Sequence, residues 1–342
     1  MHDTWTLQAI NDYNIAQCIP LDGTATYAEI SEKSGLDLDK CRRILRYAMT
    51  NQVFCEPTPE HVAHTAISAL ISRDAGARDL AHHCLEEIHT GTANQVKAIR
   101  KWPNTLHPGE TGVSLGFGME GKSVFEFFAA EPHRAQKFGG AMGFLGSSGS
   151  NVAPEIEVAG GYPWKDLGRA KMVDCGGSRG HVSVAIANVA PNMQFVVQDL
   201  PEVVSQAEAH PPPGLEGRFR YEAHSFFTPQ PIKDADVYFF RRIFHDWPDH
   251  LCCDILKNLI PSMKLGSRII LDETILSSPG NGNVDLLEEK LGRTLDMQML
   301  VAANSKERTL EDWKNLFVMG GEGKLSFEKG EKSILVWVRK DE

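Results

Sequence analysis

The spacing of apolar residues changes along the chain and divides it into two parts. Up to about residue 105, apolar positions recur at helical intervals in short segments. From about residue 170 onward, short β-branched and aromatic runs alternate with helical patterns. We predict a mostly helical N-terminal domain, residues 1–105, followed by an α/β domain, residues 106–342.

Residues 27–54 carry a helix-turn-helix pattern. One helix is predicted to begin at Thr26 or Tyr27 and to end at a turn around Gly35, and a second helix follows with apolar residues along one face. The residues of that face are Cys41, Ile44, Leu45, Ala48 and Met49. We interpret the segment as a packing or dimerisation module.

The second half favours an open, mostly parallel sheet with helices on both faces. The predicted strands are Lys171–Cys175, Gln194–Gln198, Arg218–Ala223, Val237–Phe240, Arg268–Glu273 and Ser333–Lys340. Helical patterns lie between most of them, for example over Val182–Val189, His250–Met263 and Leu310–Met319. Right-handed crossovers would place ligands at the carboxyl ends of the strands.

The charge balance argues against nucleic acid as a partner. The 342 residues include 45 Asp and Glu against 35 Lys and Arg, a formal net charge of −10, whereas a phosphate-binding surface needs a basic excess. Arg42, Arg43 and Arg46 on the second helix leave DNA reading as an alternative for that module. With 42% hydrophobic and 23% charged residues, the composition is that of a globular protein and excludes disordered or collagen-like classes.

Neither a membrane nor a metal ion is indicated as a partner. No apolar run reaches the roughly 18 residues that span a bilayer, and the N-terminus lacks the layout of a signal peptide, so we expect a cytoplasmic protein. The seven cysteines contain no CxxC pair and are expected to be reduced. The 13 histidines show no zinc-binding spacing, so no metal site is predicted.

A glycine-rich turn and an acid after the next strand suggest a ligand site. VDCGGSRGHVSVAIA, residues 173–187, predicts a strand, a turn and a helix, and Gly176, Gly177 and Gly180 would allow positive φ and close approach of a ligand. The spacing is not the GxGxxG of dinucleotide sites. About 20 residues later a strand ends at Asp199, where a carboxylate can accept from both ribose hydroxyls. Asp199 could instead cap a helix, but beside the glycine turn we favour ribose binding.

A second candidate lies in DVYFFRRIFHDWPD, residues 236–249. An apolar strand runs into polar residues, and Pro248 fits the first turn of the next helix. His245 is therefore predicted just past the carboxyl end of a strand, where this architecture gathers its ligands. A histidine there can act as a base near neutral pH, although a structural histidine is the alternative.

Six motifs, taken in their order along the chain, resemble those of the S-adenosylmethionine-dependent O-methyltransferases of the plant and fungal small-molecule type. The resemblance covers most of the chain and rests on VDCGGSRGH (173–181), QDLPEVV (198–204), HSFFTPQP (224–231), FHDWPD (244–249), LDETIL (271–276) and LDMQMLVAANSKERTLEDW (295–313). It implies a Rossmann-like methyltransferase sheet with helices on both faces. For the N-terminal part it implies a winged-helix dimerisation domain and hence a homodimer.

The resemblance also implies site residues. His245 matches the catalytic base, and Glu273 and Glu307 match two acids that orient it. The residues predicted to contact S-adenosylmethionine, or its product S-adenosylhomocysteine, are Asp174, Gly176, Gly177, Asp199, Leu200, Ser225, Phe226 and Arg241. The residues predicted to contact the acceptor are Phe128, Met142, Asp246, Met297, Met299 and Asn304. Asp272 is a rival to Glu273, because a one-residue shift in strand register exchanges their faces.

These residue types suit removal of a proton before methyl transfer. A phenol titrates near pH 10, on the reference of tyrosine, so at neutral pH its oxygen must lose the proton to become a good nucleophile. His245 can take the proton, and a carboxylate on the other ring nitrogen would stabilise the imidazolium. We expect methyl transfer to a hydroxyl of a small aromatic secondary metabolite, with a phenol as the preferred acceptor.

Three features depart from the family pattern. Ser225 stands where relatives usually carry an acid, which predicts weaker cofactor binding. Arg242 stands where an aromatic or aliphatic residue is more usual, and a second cation there would help an anionic substrate. Relatives have a longer helical arm before the winged-helix region, so the sequence leaves open whether the N-terminus is truncated.

Two other functions stay open from the sequence. The same fold could bind S-adenosylmethionine as a fixed positive charge and act as a pericyclase or dehydratase without transferring the methyl group. The other alternative is a non-catalytic regulatory protein that works through its helix-turn-helix module. The presence of His245, Glu273 and Glu307 argues against that role.

Overall fold

Helices dominate the first part of the chain, and strands alternate with helices in the rest. The computed structural model describes residues 2–148, 161–209, 211–278, 285–331 and 333–341. Unit 1 comprises residues 1–104 and 109–148, and unit 2 comprises residues 105–108 and 149–342. None of the described helices is both long enough and apolar enough to cross a lipid bilayer.

Unit 1 is mostly helical. Its helices are α1 (His2–Asp12), α2 (Tyr27–Ser34), α3 (Leu38–Thr50), α4 (Ala66–Arg73), α5 (Ala75–His82), α6 (His89–Lys101), α7 (Gly112–Gly116), α8 (Val124–Ala130) and α9 (Pro132–Ser148). Residues 109–148 belong to this unit because α7 packs against α6 and α9 packs against α5. The predicted boundary after residue 105 therefore differs from the boundary between the compact units, and the division into functional domains stays a prediction.

The predicted helix-turn-helix is confirmed at both of its helices. The Thr26 side chain caps α2 and forms a capping box with Glu29, and Gly35 ends the helix with φ +72°. Helix α3 buries Cys41, Ile44, Leu45 and Ala48, with Met49 packed against the same cluster. An antiparallel sheet in the order β1-β3-β2 accompanies the two helices, formed by β1 (Thr24–Thr26), β2 (Phe54–Thr58) and β3 (His61–His64).

The arginines of α3 pair with acids of the same unit. Arg42 Nη2 lies 2.6 Å from Glu60 Oε2, and Arg46 Nη2 lies 3.1 Å from both Glu56 Oε1 and Glu60 Oε1. Their positive charge is thereby balanced locally, which removes the basic face that DNA binding would require.

A buried ion-pair network joins the π-helical turn His83–Ile88 to α9. Arg134 contacts Glu86 at 2.7 Å and Glu87 at 2.6 Å. His82 lies 3.1 Å from Glu86, and Lys137 Nζ lies 3.2 Å from the Nδ1 of His82. Although His82, Glu86 and Glu87 bring potential metal ligands within 4.8 Å of one another, Arg134 already pairs with both carboxylates.

Unit 2 is built on a seven-stranded sheet. The strands are β4 (Lys171–Cys175), β5 (Gln194–Asp199), β6 (Phe219–Ala223), β7 (Val237–Arg241), β8 (Arg268–Asp272), β11 (Leu325–Glu331) and β12 (Ile334–Arg339), and their order is β11-β12-β8-β7-β4-β5-β6. Strands β4 to β8 pair in parallel, whereas β12 and β11 run antiparallel. The mostly parallel sheet and its six predicted strands are confirmed. Strand β11 was not predicted, because an edge strand with the sequence LSFEKGE has the polarity of a loop.

Helices cover both faces of this sheet, as predicted. They are α10 (His181–Val189), α11 (Pro201–Glu208), α12 (Asp249–Leu259), α13 (Leu286–Ala303) and α14 (Leu310–Gly321). Helix α10 packs Ile186 against Phe195 and Phe239 on one face, whereas Leu256 and Phe317 of α12 and α14 pack on the other. A separate parallel pair, β9 (Ile275–Leu276) with β10 (Arg308–Thr309), follows β8 and precedes α14.

Candidate active site

The candidate site lies along one edge of the unit 2 sheet. Asp199 ends β5, Asp174 stands one residue before the end of β4, Arg241 ends β7 and Asp272 ends β8. These strands are neighbours and parallel, so their carboxyl ends meet at the same edge. This is the edge where open α/β sheets bind ligands.

The glycine turn after β4 is held closely against its neighbours. Gly176 has φ +79°, and the amides of Gly176 and Gly177 both donate to the carbonyl of Gln198, at 2.8 and 3.1 Å. A Cβ added to Gly176 would come within 2.5 Å of Ile243, and one added to Gly177 within 2.5 Å of the Asp174 carboxyl group. The chain itself therefore requires glycine at both positions, whether or not a ligand is bound.

Asp174 is buried beneath this turn. Its Oδ2 accepts a hydrogen bond of 2.6 Å from the hydroxyl of Ser183, in the first turn of α10. Burial raises the pKa of Asp174 to about 6, although the Ser183 hydrogen bond opposes this rise. Ser183 was not identified from the sequence, because its contact depends on how α10 follows the turn.

Asp199 presents its carboxylate beside the same turn. Oδ2 accepts from the amide of Ser178 and Oδ1 from the amide of Leu200, each at 2.8 Å. Burial raises the pKa of Asp199, against the effect of these two hydrogen bonds. Each oxygen has a second lone pair, so both can still accept a hydroxyl hydrogen. Leu200 is exposed at 44%.

Ser225 and Phe226 follow β6 at the same edge. The Ser225 hydroxyl accepts from the amide of Phe227 at 3.4 Å, and its carbonyl accepts from the amide of Thr228 at 2.9 Å, so this serine organises a turn. The ring of Phe226 lies 6.1 Å from that of Trp247, edge to face. It would also lie 3.6 Å from a Cβ at Gly176, which places it over the glycine turn.

These features fit the cofactor that the resemblance implies. The carboxylate of Asp199 stands where ribose hydroxyls could donate to it, next to a turn without side chains. Phe226 offers an aromatic face above that turn. Asp174 and Asp199 supply acidic groups suited to a ligand that carries positive charge.

Asp272 and Glu273 are successive residues with different partners. Arg241 Nε donates to Asp272 Oδ2 at 2.8 Å, so these two predicted residues neutralise each other. Glu273 is fully buried, and its Oε1 accepts from the amides of Ile243 and Phe244, at 2.9 and 2.8 Å. Glu273 therefore fixes the turn that leads to His245 and makes no direct hydrogen bond to the imidazole among the described contacts.

His245 is hydrogen-bonded to Glu307. It lies in the short 3₁₀ turn Phe244–Asp246, and its Nδ1 is 2.6 Å from Glu307 Oε1. Both side chains are buried. Nε2 is the remaining ring nitrogen and lies 3.5 Å from Asp246 Oδ1. With Nδ1 bound to a carboxylate, Nε2 is the atom that can exchange a proton with another molecule.

The surrounding acids make His245 a stronger base than usual. Burial alone would lower the pKa of the imidazole, but the nearby carboxylates of Asp246, Glu273 and Glu307 outweigh it and raise the pKa to about 9. Burial raises the pKa of Asp246 to about 6 and also raises that of Glu273. The site thus concentrates carboxylates around a single imidazole.

The residues predicted to contact the acceptor are not gathered into one cluster by the described contacts. In α13, Met297 is 54% exposed and Met299 is buried, and the Asn304 side chain donates to the carbonyl of His107 at 2.8 Å. Phe128 and Met142 lie in α8 and α9 of unit 1, where Phe128 stacks on Phe138. Of the predicted acceptor contacts, Asp246 alone is placed beside His245 by these distances. The roles of the others stay predictions.

Sequence reasoning missed two residues next to Glu307. Asp296 Oδ1 accepts from the amide of Glu307 at 3.0 Å, and Arg308 donates to the carbonyl of Phe244 at 3.0 Å. Arg308 is fully buried. A buried arginine is rare, and nothing in the sequence pattern marks one in advance.

The comparisons with known proteins identify the family of the chain. Residues 119–322 match the O-methyltransferase domain family. The O-methyltransferase VdtC of Byssochlamys spectabilis is 37% identical over 89% of this chain and 70% of its own length. The grayanic acid biosynthesis cluster O-methyltransferase of Cladonia grayi is 39% identical over 91% and 65%. The crystal structure of OxaC in complex with SAH and oxaline has a TM-score of 0.84 at 23% identity, covering 99% of this chain and 85% of that one, and thus shares the fold.

Replacing Glu307 tests the electrostatics of the site. A folded-state pKa of about 9 for His245, against 6.5 unfolded, stabilises the fold fully below pH 6.5. That stability is lost as the pH rises to 9, a fall in the free energy of unfolding on the order of 3 kcal/mol. We expect a smaller fall in Glu307→Gln, because this variant has one carboxylate fewer to offset the effect of burial on the protonated imidazole. Denaturant unfolding at pH 6.5 and pH 9 measures both values.

The matched control for this experiment is Glu311→Gln, which neutralises an exposed glutamate in the first turn of α14. It should reproduce the pH dependence of the wild type. Equal falls in the wild type and Glu307→Gln would contradict a contribution of Glu307 to the raised pKa of His245.

Proposed function

As the chain belongs to the O-methyltransferase domain family and is an S-adenosylmethionine-dependent O-methyltransferase, we propose that its acceptor is a phenolic hydroxyl and its general base His245. The acceptor class is a small aromatic secondary metabolite. The observation that carries the proposal is the buried hydrogen bond between His245 and Glu307, which leaves Nε2 as the nitrogen that can accept a proton.

Proton removal is the step that the chain's own residues perform. Nε2 of His245 takes the hydroxyl proton of the acceptor, which leaves the oxygen as a nucleophile. With the cofactor bound, this oxygen would receive the methyl group while the carbon–sulfur bond breaks and its electron pair stays on sulfur. Glu307 holds Nδ1–H and stabilises the imidazolium that results. Glu273 fixes the backbone of the turn from the other side, through the amides of Ile243 and Phe244.

We propose that the cofactor is held by the glycine turn and by Asp174, Asp199, Leu200, Ser225, Phe226 and Arg241. Bound S-adenosylmethionine supplies a methyl group on a positively charged sulfur. Asp199 would fix the ribose, and the other residues would position the remaining parts of the ligand and keep water out. Ser225 brings no charge to its position, because a hydroxyl is neutral. Its oxygen accepts from the backbone of its own turn.

A phenol is the acceptor best matched to this base. Its ordinary pKa near 10 is much closer to the range in which an imidazole titrates than the pKa of an aliphatic alcohol is. An aliphatic alcohol is far less acidic and would not be matched in this way. The Cladonia grayi relative, named for a biosynthesis cluster, supports a secondary metabolite as the acceptor class.

The alternative of a pericyclase or dehydratase makes a different use of the same fold. Such a reaction leaves the mass of the substrate unchanged or removes water, whereas methyl transfer adds one methyl group. A base paired with a buried carboxylate favours transfer, because deprotonation is what a phenol needs before methylation.

Removing the imidazole tests the base. We expect His245→Ala to lower kcat by about 100- to 10,000-fold, because the acceptor then has no positioned group to take its proton. The rate is measured with S-adenosylmethionine and whichever of catechol, resorcinol and 2-naphthol the wild type methylates most rapidly, with product mass as the readout. Calorimetry should show unchanged cofactor binding.

His250→Ala is the control for this experiment, since it removes an exposed histidine at the start of α12 and should leave kcat unaltered. Undiminished methyl transfer by His245→Ala would show that another group acts as the base.

Neutralising Asp199 tests the cofactor site. We expect Asp199→Asn to weaken binding of S-adenosylmethionine on the order of ten- to hundredfold, the worth of hydrogen bonds to a charged acceptor. S-adenosylhomocysteine carries the same ribose, so calorimetric titration should show an equal loss for both ligands.

Glu202→Gln is the matched variant, because Glu202 is a nearby exposed acid in the first turn of α11. It should bind both ligands as the wild type does. A loss confined to S-adenosylmethionine would mean that Asp199 acts on the positive sulfur and not on the ribose.

The homodimer is also proposed. Unit 1 exposes large apolar side chains, among them Trp5 at 47%, Val96 at 60% and Ile99 at 50%, which a second subunit would cover. Sedimentation equilibrium is expected to give twice the chain mass, and the mass of a single chain at micromolar concentration would contradict the proposal.

A further inference from the structure

We propose that Arg308 is a positioning residue for His245, holding the backbone turn that carries the imidazole while Glu307 holds the ring. The proposal rests on the proposed role of His245 as the base. Arg308 is remote from the reacting atoms and acts by fixing the position of His245.

Arg308 reaches the turn on both sides of His245. Its Nη1 donates to the carbonyl of Phe244 and its Nη2 to the carbonyl of Trp247, each at 3.0 Å. These carbonyls precede and follow the residue pair His245 and Asp246. One rigid guanidinium therefore fixes both ends of the turn at a set spacing.

The guanidinium is itself immobilised. Nε and Nη2 of Arg308 both donate to Asp249 Oδ1, at 3.0 and 2.6 Å. Its central carbon lies 4.9 Å from the ring centre of Trp313, in α14. The Arg308 side chain is fully buried, so its end of these contacts is shielded from solvent, while the Asp249 side chain is 35% exposed.

Glu307 and Arg308 come from the same short segment. The amide of Glu307 donates to Asp296, and Arg308 begins β10, which pairs with β9. Successive residues in an extended segment point in opposite directions, so one side chain reaches the imidazole and the other reaches its backbone. A displacement of Arg308 would thus change the distance between His245 and Glu307.

Among the described residues, the remaining donors to these two carbonyls are weaker or belong to the turn itself. The other described donors to the two carbonyls are the amide of Trp247, at 3.3 Å from the Phe244 oxygen, and the thiol of Cys252. A thiol is a weak donor, and the amide belongs to the turn itself. Lysine at position 308 would keep the charge but lose the planar fork that contacts both carbonyls and Asp249 at once.

The test uses substitutions that conserve charge, so that any change in His245 reports on geometry. Arg308→Lys removes the fork and keeps the cation. Asp249→Glu keeps the carboxylate that anchors Arg308 but displaces it. Lys306→Arg is the control, because Lys306 is exposed and contacts the opposite oxygen of the same carboxylate, Asp249 Oδ2.

Two readouts separate positioning from a general loss of structure. The first is the pKa of His245, from ¹⁵N-histidine NMR titration with the resonance assigned by its absence in His245→Ala. The second is the pH profile of kcat with the phenol chosen above. We expect Arg308→Lys to move the pKa of His245 from about 9 toward 6.5, because the contact with Glu307 loosens. We expect kcat to fall on the order of 100-fold with cofactor binding unchanged.

Asp249→Glu should shift both readouts in the same direction by less, and Lys306→Arg should match the wild type. A wild-type pKa of His245 in Arg308→Lys would overturn the proposal, even if kcat or thermal stability fell, because only a structural role would remain. If Arg308→Lys does not fold, as judged by circular dichroism, the same criterion applies to Asp249→Glu. Full activity of His245→Ala would refute the proposed base, while the NMR titration would still decide whether Arg308 holds the imidazole.

Discussion

A histidine placed in a buried site among acids needs contacts that fix its ring and its backbone, and much of unit 2 supplies them. Glu307 holds the imidazole, Glu273 accepts from the amides that precede it, and Arg308 brackets the turn. Burial by itself would favour the neutral ring, yet the surrounding carboxylates raise its pKa to about 9. The imidazole therefore holds its proton more tightly than a free histidine does, because Glu273 and Glu307 are buried with it.

The parallel sheet explains why these groups meet the cofactor residues. Asp174, Asp199 and Arg241 come from strands that are distant in sequence but neighbours in space, and all three stand at the carboxyl edge. The glycine turn packs closely at this edge because Gly176 and Gly177 have no Cβ. Ile243 and the Asp174 carboxyl group occupy the space that a Cβ would need. Ile243 also directly precedes the turn of His245, so this residue forms a wall of the proposed cofactor site and adjoins the proposed base. A substitution at that wall would affect both.

Unit 1 has a different electrostatic character. Arg42 and Arg46 are matched by Glu56 and Glu60, and the acids of the π-helical turn are matched by Arg134. Such internal neutralisation suits a module that packs against protein, and together with the net charge of −10 it argues against a nucleic-acid surface. The helix-turn-helix pattern is therefore best explained by packing.

The sequence by itself determined the order of the elements and the residues that reach the ligand edge. Strand Lys171–Cys175 was predicted to the residue, since a short apolar segment next to a glycine turn is a local signal. The resemblance implied Glu273 and Glu307 as partners of His245, and only the tertiary structure showed that Glu307, 62 positions away, bonds the ring while Glu273 bonds backbone amides. The tertiary structure was also needed to tell the roles of Asp272 and Glu273 apart, because strand register decides which of two successive acids faces Arg241. Arg308 could not be foreseen at all, because a buried arginine is stabilised only by carbonyls and a carboxylate that folding brings to it.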